Sequence, residues 1–140
     1  MATAATFAWQ TWNSGPFSID RKPGKEPGTV ILCFHGPFTV RDAYTNLPTM
    51  TMNKMFELEP APGEEPPVKN VLDLTECTYV DSSGLGMIAT HHVRCEKRGV
   101  KMIAAAMTPR VREVFHITKM DTVIPIAASV EEAEGTESRQ

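Results

Sequence analysis

The stretch that decides the fold is Val80-Asp81-Ser82-Ser83-Gly84-Leu85-Gly86, just past the middle of the chain. It follows the apolar run of residues 68–74 (VKNVLDL), which has the composition of a buried strand. It leads into residues 83–97, where apolar side chains recur every three or four positions, as on one face of a helix. The stretch is therefore predicted to turn from a strand into a helix, and such carboxyl ends of strands are where open α/β sheets engage ligands and partners.

The polar residues of this turn suit both a helix start and an anion. Asp81, Ser82 and Ser83 are all good N-cap residues, and the free N–H groups and dipole of a helix N-terminus favour negative charge. A phosphoryl group on a serine here would add about two negative charges. Gly84 and Gly86 leave the backbone bare, at a cost of about 1 kcal/mol each in helix propensity. From these residues alone, a capped helix start without further function is an equally good interpretation.

The rest of the chain alternates between strand and helix patterns. Strands are predicted at residues 17–21, 29–34, 68–74, 101–106 and 123–126. Helices are predicted at 48–58, at 83–97 and from Thr108-Pro109 onward, where Thr caps the helix and Pro takes its first position. This alternation predicts an α/β domain with a mixed, mostly parallel sheet of four to five strands covered by helices.

Three segments stand apart from this predicted domain, which spans residues 17–130. Residues 1–16 form an aromatic-bearing arm that we expect to be partly ordered, with a strand added to a sheet edge, in cis or in a dimer, as the alternative. Residues 59–67 (EPAPGEEPP) have no apolar pattern and predict a solvated loop. Residues 131–140 predict an acidic, flexible tail, and the alternative for its start is a fraying helix capped by Ser129.

Composition excludes several classes of protein. A chain of 140 residues is long enough for one domain with its own core. With 14 basic and 17 acidic residues, the net charge of −3 gives no reason to expect a nucleic acid. No apolar stretch approaches about 18 residues, so no membrane-spanning helix is expected. Three cysteines without a Cys-x-x-Cys pair favour reduced thiols in a cytoplasmic protein.

Enzyme and metal sites find little support in the sequence. A nucleophile elbow needs glycine two residues before its serine, and Val80 stands there for Ser82. The chain has no phosphate-binding loop and no dinucleotide fingerprint, so no cofactor is expected. Asp73, Asp81 and His116 could be imagined as an acid–base set around Ser82 from their residue types, but no motif in the sequence supports this arrangement. Neighbouring histidines at 91 and 92 point in different directions on a helix and lack further metal ligands.

The turn and its surroundings resemble the STAS-domain family, and most closely the bacterial anti-sigma factor antagonists. The similarity covers about residues 17 to 130, and the Asp-Ser-Ser-Gly-Leu-Gly turn in its strand-to-helix context is quite specific. The segments that carry it are 72–74 (LDL), 80–86 (VDSSGLG), 97–99 (KRG), 101–103 (KMI), 107–111 (MTPRV) and 114–118 (VFHIT).

This resemblance implies a non-enzymatic regulator of bacterial transcription. Such a protein binds a serine-kinase anti-sigma factor and thereby releases the sigma factor. The partner phosphorylates the first serine of the turn, here Ser82, and a PP2C-type phosphatase reverses the modification. An interface built around a neutral serine cannot easily accept a dianion, because desolvating charge is costly. The implied partner-binding residues are Thr39, Asp81, Ser82, Ser83, Gly84, Leu85 and Gly86.

One position departs from the family pattern. Where the family has Gly-Glu-Leu-Asp after the second strand, this chain has residues 36–39 (GPFT), so Thr39 replaces the carboxylate that normally lies beside the turn. Two alternatives stay open. One is a STAS module of another assembly, such as a stressosome-like scaffold or a lipid-transport complex, without a phosphorylation switch. The other is a nucleotide-binding or hydrolytic domain that uses the same turn. A homodimer is compatible with each of these functions.

Overall fold

A computed structural model describes residues 10–14, 16–39, 56, 63 and 65–135. The described strands are β1 (Gln10–Ser14), β2 (Phe17–Pro23), β3 (Thr29–Phe38), β4 (Lys69–Val80), β5 (Lys101–Ala105) and β6 (Ile126–Ala127). The described helices are α1 (Ser82–Lys97), α2 (Pro109–Ile117) and α3 (Val130–Gly135), with a short 3-10 helix at Met120–Thr122.

The six described strands form one mixed sheet in chain order. The pairs β1–β2 and β2–β3 are antiparallel, whereas β3–β4, β4–β5 and β5–β6 are parallel. The predicted α/β class with a mostly parallel sheet is therefore confirmed. The sheet exceeds the expected four to five strands because the N-terminal arm contributes β1, which pairs in cis with β2 from Gln10↔Arg21 to Ser14↔Phe17. Residues 1–9 of that arm lie outside the described residues.

The two central strands are longer than the sequence predicted. The prediction ended β3 before Gly36 and Pro37, but the β3–β4 ladder continues to the pair Phe38↔Val80. Register irregularities accommodate both residues, because a bulge tolerates the positive φ of 83° at Gly36 and the missing N–H of Pro37. As a result β3 and β4 end level with each other.

The sheet buries a different core on each face. On the α1/α2 face, the sheet packs against α1 and α2 through a large cluster that includes Phe17, Phe34, Phe38, Leu72, Leu74, Ile88, Met102 and Phe115. Alternate residues of β3, such as Ile31 and Cys33, point to the opposite side. On this α3 face the cluster is small and includes Val71, Ile103 and Ala133.

The last strand was predicted at the wrong place. Residues 123–126 were expected to form it, but the amide of Ile124 donates to the carbonyl of Met120 at the end of the 3-10 helix. Pro125 has no N–H, and pairing begins with its carbonyl, which accepts from the amide of Ala104 at 2.9 Å. The strand β6 is therefore confined to Ile126–Ala127.

Residues 131–135 belong to α3, so the acidic tail begins as the helix capped by Ser129 that the sequence offered and not as a flexible segment. The side chain of Ser129 caps this helix by accepting from the amide of Glu132 at 3.0 Å. The buried Lys69 then donates from Nζ to the carbonyls of Ala133 and Glu134, at 3.3 and 2.9 Å. These contacts explain why an acidic segment packs here, since a lysine from the sheet satisfies its last carbonyls. Residues 136–140 lie outside the described residues.

Most of the predicted helix 48–58 and of the loop 59–67 also lies outside the described residues. Phe56 is the one described residue of that helix segment, and its side chain is buried in the α1/α2 core. In the loop, Gly63, Glu65 and Pro66 are exposed, in agreement with the predicted solvated segment at those positions.

Candidate functional site

Asp81 forms the cap that starts α1. Its backbone is extended, with φ −91° and ψ −177°, and its Oδ1 accepts from the amide of Gly84 at 2.8 Å. Its carbonyl accepts from the amide of Leu85 at 2.8 Å, which begins the helical pattern. Asp81 thus satisfies two amides of the first turn, and the helix begins at Ser82, one residue earlier than predicted.

The two glycines of the turn differ in what surrounds them. A Cβ on Gly84 would lie 2.2 Å from the carbonyl oxygen of Phe38 and 3.0 Å from Cδ2 of its ring. Gly84 is therefore required for the close approach of α1 to the end of β3. A Cβ on Gly86 would meet nothing within 4 Å, and Gly86 is exposed. Packing within the described chain therefore gives no reason for this second glycine.

The end of β3 is joined to the turn. The amide of Asp81 donates to the carbonyl of Phe38 at 3.4 Å, one step beyond the pair Phe38↔Val80. Thr39, which follows Phe38 directly, is half-buried. The structure thus brings Thr39 and the turn to one place at the carboxyl edge of the sheet, where the sequence predicted them.

Burial divides the predicted partner-binding residues into two groups. Gly84 and Leu85 are buried, and Leu85 belongs to the α1/α2 core, so both have a structural role in the free protein. Ser82 and Gly86 are exposed, and Ser83 is half-buried. The accessible part of the turn is therefore formed first of all by Ser82 and Gly86.

The sequence did not reveal that α2 also reaches this edge. Thr108 caps α2 by accepting from the amide of Val111 at 3.4 Å, and its hydroxyl donates to the carbonyl of Cys77 on β4 at 3.2 Å. Next to this tie, the guanidinium carbon of Arg110 lies 4.5 Å from the centre of the Tyr79 ring. The sequence signal for the Tyr79–Arg110 pair was weak, because Arg110 lies 31 residues after Tyr79. Only the position of Tyr79 just before the turn pointed to it.

The acid–base set conceived around Ser82 is not assembled. Asp73 accepts from the amide and hydroxyl of Thr75, at 3.1 and 2.6 Å, along its own strand. His116 pairs through Nδ1 with Asp121 at 3.1 Å, beyond the end of α2. Asp81 serves as the helix cap. Each of these groups therefore has a local partner elsewhere.

The two adjacent histidines of α1 are core residues. His91 is 1% exposed, and its Nε2 meets Oδ1 of Asn70 and lies 3.5 Å from Sγ of Cys95. Burial lowers the pKa of His91 to about 4, so its ring is neutral at pH 7. His92, expected to be partly buried, is 6% exposed. Within the described ranges, no group of three His, Cys, Asp or Glu side chains is placed to hold a metal ion.

Solved structures share this fold. A proposed anti-sigma factor antagonist from Thermotoga maritima has a TM-score of 0.67 and 21% identity, with 86% of this chain and 93% of that chain covered. A sulfate transporter family protein from Wolinella succinogenes has a TM-score of 0.61 and 15% identity, over 80% and 86% of the two chains. The anti-sigma factor antagonist SpoIIAA, in its phosphorylated form from Bacillus, has a TM-score of 0.54 and 17% identity, over 84% and 96%.

Two further findings bear on the class of protein. None of the helices in the described part of the chain has the length and apolar character needed to span a membrane. The family model of the STAS domain matches residues 25–133, which includes the turn, both ends of the central strands and most of α3. The chain therefore belongs to the STAS domain family.

Proposed function

We propose that the protein is an anti-sigma factor antagonist that acts by binding and not by catalysis. It binds a serine-kinase anti-sigma factor through the surface around the turn of residues 81–86 and so releases a sigma factor. The observation that carries this proposal is an exposed serine, Ser82, directly after the cap of α1 in a STAS fold. The similarity to anti-sigma factor antagonists from other bacteria supports it.

Phosphorylation of Ser82 by the partner is the proposed off-switch, and a PP2C-type phosphatase restores binding. A phosphoryl group at the N-terminus of α1 meets the favourable end of the helix dipole, and the carboxylate of the neighbouring Asp81 is already engaged as the helix cap. The modified domain therefore keeps its fold. The partner, in contrast, would have to desolvate a dianion in the interface, which weakens the complex. All three cysteines are free, which suits a protein of the bacterial cytosol.

The structure of the turn favours Ser82 over Ser83 as the phosphoacceptor. Ser82 is exposed and lies at the very start of α1, whereas Ser83 is half-buried beside the core residues Gly84 and Leu85. A kinase must reach the hydroxyl with its own active site. The more accessible serine is therefore the expected target.

Phosphopeptide mapping tests the switch. The protein is incubated with ATP and a serine kinase encoded near its own gene, and the intact mass and phosphopeptides are measured. Wild type and Ser83→Ala should each gain one phosphate on Ser82, while Ser82→Ala should gain none. A phosphate confined to Ser83, or no phosphate with any such kinase, would contradict the proposed switch.

A second candidate function follows from Thr39. Where Thr39 stands, the family's antagonists carry a carboxylate beside the turn, and the fold is also that of a sulfate transporter family protein. The proposed alternative is a STAS module that joins another assembly, such as a scaffold or a lipid-transport complex, without phosphorylation, and Thr39 is the observation that favours it. In that case a pull-down with Ser82→Asp would recover the same partner as a pull-down with wild type.

A further inference from the structure

Arg110 is an exposed cation next to the turn whose charge is not used within the described chain. Its guanidinium stacks on the ring of Tyr79, 4.5 Å from the ring centre, and no described carboxylate lies within ion-pair distance of it. An arginine seated on an aromatic ring keeps its five N–H donors available at the rim of the guanidinium plane. The stack thus holds a set of donors in place without consuming them.

The position of this stack is fixed by β4. The hydroxyl of Thr108 ties the start of α2 to the carbonyl of Cys77, two residues before Tyr79. Tyr79 in turn precedes Ser82 by three residues, so their Cα atoms are at most about 11 Å apart. The stack on Tyr79 and Ser82 therefore lie within three residues of each other at the carboxyl end of β4.

We propose that Arg110 is the intramolecular partner of the phosphoryl group on Ser82. The planar fork of a guanidinium matches two phosphate oxygens, and an arginine already held by an aromatic ring loses less freedom when it pairs. This proposal rests on the proposed function, because it gives the phosphorylated state of the turn a defined structure. The pair fixes the dianion at the surface that the partner must approach.

The other charged groups around the turn provide the background and the control. Asp81 carries a carboxylate next to Ser82, but it caps α1 in every variant and so contributes equally to each measurement. Arg112 lies two residues beyond Arg110 on α2 and is also exposed, and it lines a separate groove with Glu113 and His116. Loss of Arg112 removes the same charge from the same helix without removing the stack on Tyr79.

The test places phosphoserine at position 82 during translation, by reassigning a codon, and follows its phosphorus-31 NMR signal against pH. No kinase is needed, so this result is independent of whether a partner kinase phosphorylates Ser82. A guanidinium beside the phosphate favours the dianion and lowers the second phosphate pKa. Arg110→Ala should therefore raise that pKa by about 0.5 unit relative to the unsubstituted phosphoprotein, as for a surface ion pair.

Two further variants decide whether the effect belongs to the stack. Arg112→Ala should change the phosphate pKa by no more than about 0.1 unit relative to the unsubstituted phosphoprotein, because Arg112 is not stacked beside the turn. Tyr79→Leu should raise the phosphate pKa by less than Arg110→Ala does, because Arg110 remains but no longer stacks on an aromatic ring. An unchanged pKa in Arg110→Ala, or equal shifts in Arg110→Ala and Arg112→Ala, would overturn the proposal.

Discussion

The two faces of the sheet place their histidines in different surroundings. On the α1/α2 face, His91 is enclosed by core side chains, and the ring of Phe56 lies 4.7 Å from its own ring. On the other side of the sheet, His35 is part of an open polar cluster. Its Nδ1 lies 2.8 Å from Oε1 of Glu76 on β4, and its Nε2 lies 3.1 Å from Oδ2 of Asp20 on β2.

This difference sets the charge of each histidine. Burial lowers the pKa of His91 to about 4, and it is neutral in the folded protein at pH 7. Burial also lowers the pKa of His35, but the hydrogen bonds to Glu76 and Asp20 outweigh it and raise the pKa above the ordinary 6.5. One sheet therefore keeps one histidine neutral and favours the charged form of another, according to how deeply each ring is buried and which carboxylates it meets.

The largest effect is expected from neighbouring residues of β3 that point to opposite faces. The ring centre of Phe34 lies 5.2 Å from that of Phe38 and 6.0 Å from that of Phe17. Cys33, in contrast, belongs to the small cluster on the α3 face. Phe34→Ala should lower the free energy of unfolding by about 4 kcal/mol, and Cys33→Ala by about 1 kcal/mol. Urea denaturation of both variants measures this, and equal losses would show that the two faces contribute alike.

The next largest effect on stability is expected at Gly84 and Gly86, the two glycines of the turn at the carboxyl edge of the sheet. Gly84→Ala would press a Cβ against the carbonyl oxygen of Phe38 and should lower the free energy of unfolding by about 3 kcal/mol. Gly86→Ala meets open space and should raise it by about 1 kcal/mol, because alanine favours the helix. Thermal denaturation would reveal the contrast, which would disappear if α1 did not approach β3 closely.

The buried histidine should make the protein sensitive to mild acid. The pKa of His91 is about 4 when folded and 6.5 when unfolded, so between these values the unfolded chain binds more protons. Stability is therefore lost as the pH falls, by about 2 kcal/mol between pH 7 and pH 5. Urea denaturation at several pH values measures the slope. His91→Gln should flatten it, and an unchanged slope in that variant would contradict the assignment.

The polar cluster around His35 should make stability depend on pH in the opposite direction to His91, and more weakly. The folded pKa of His35 is raised, so its contribution is complete below pH 6.5 and is lost as the pH rises through the folded pKa. Because its ring is 35% exposed, solvent limits the contribution to about 0.5 kcal/mol. Lys22 and Asp73 line the same cleft and are retained in the control variant His35→Gln. If stability from pH 6 to pH 8 changes alike in both proteins, His35 has no such role.

Much of the fold was predictable because its signals are local. The cap at Thr108, the turn after β4 and the alternation of strands and helices all follow from neighbouring residues, and the structure confirms them. The full length of β3 was not predictable, since Gly36 and Pro37 normally end a strand and are tolerated here only through bulges in the pairing with β4. Likewise, nothing local indicated that Lys69 would satisfy the end of α3.

The part of the site formed by neighbouring residues was predictable because its signals are local. The part that depends on residues distant in the sequence was not. The turn of residues 81–86 is contiguous, so its cap and its glycines are visible in the sequence. Whether a glycine there serves packing or access depends on Phe38, which lies 46 residues before Gly84. The stack of Arg110 on Tyr79 likewise joins two elements that only the tertiary structure brings together.

The most direct test of the central claim, that the turn at Ser82 is a phosphorylation-gated binding surface, is calorimetric titration against the partner anti-sigma factor. That partner is first identified by a pull-down with wild-type protein. Ser82→Ala should bind like wild type, because a small neutral side chain leaves the turn uncharged. Ser82→Asp should bind about 100-fold more weakly, because it brings an unpaired charge into the interface. Equal affinities of Ser82→Asp and Ser82→Ala would contradict the account.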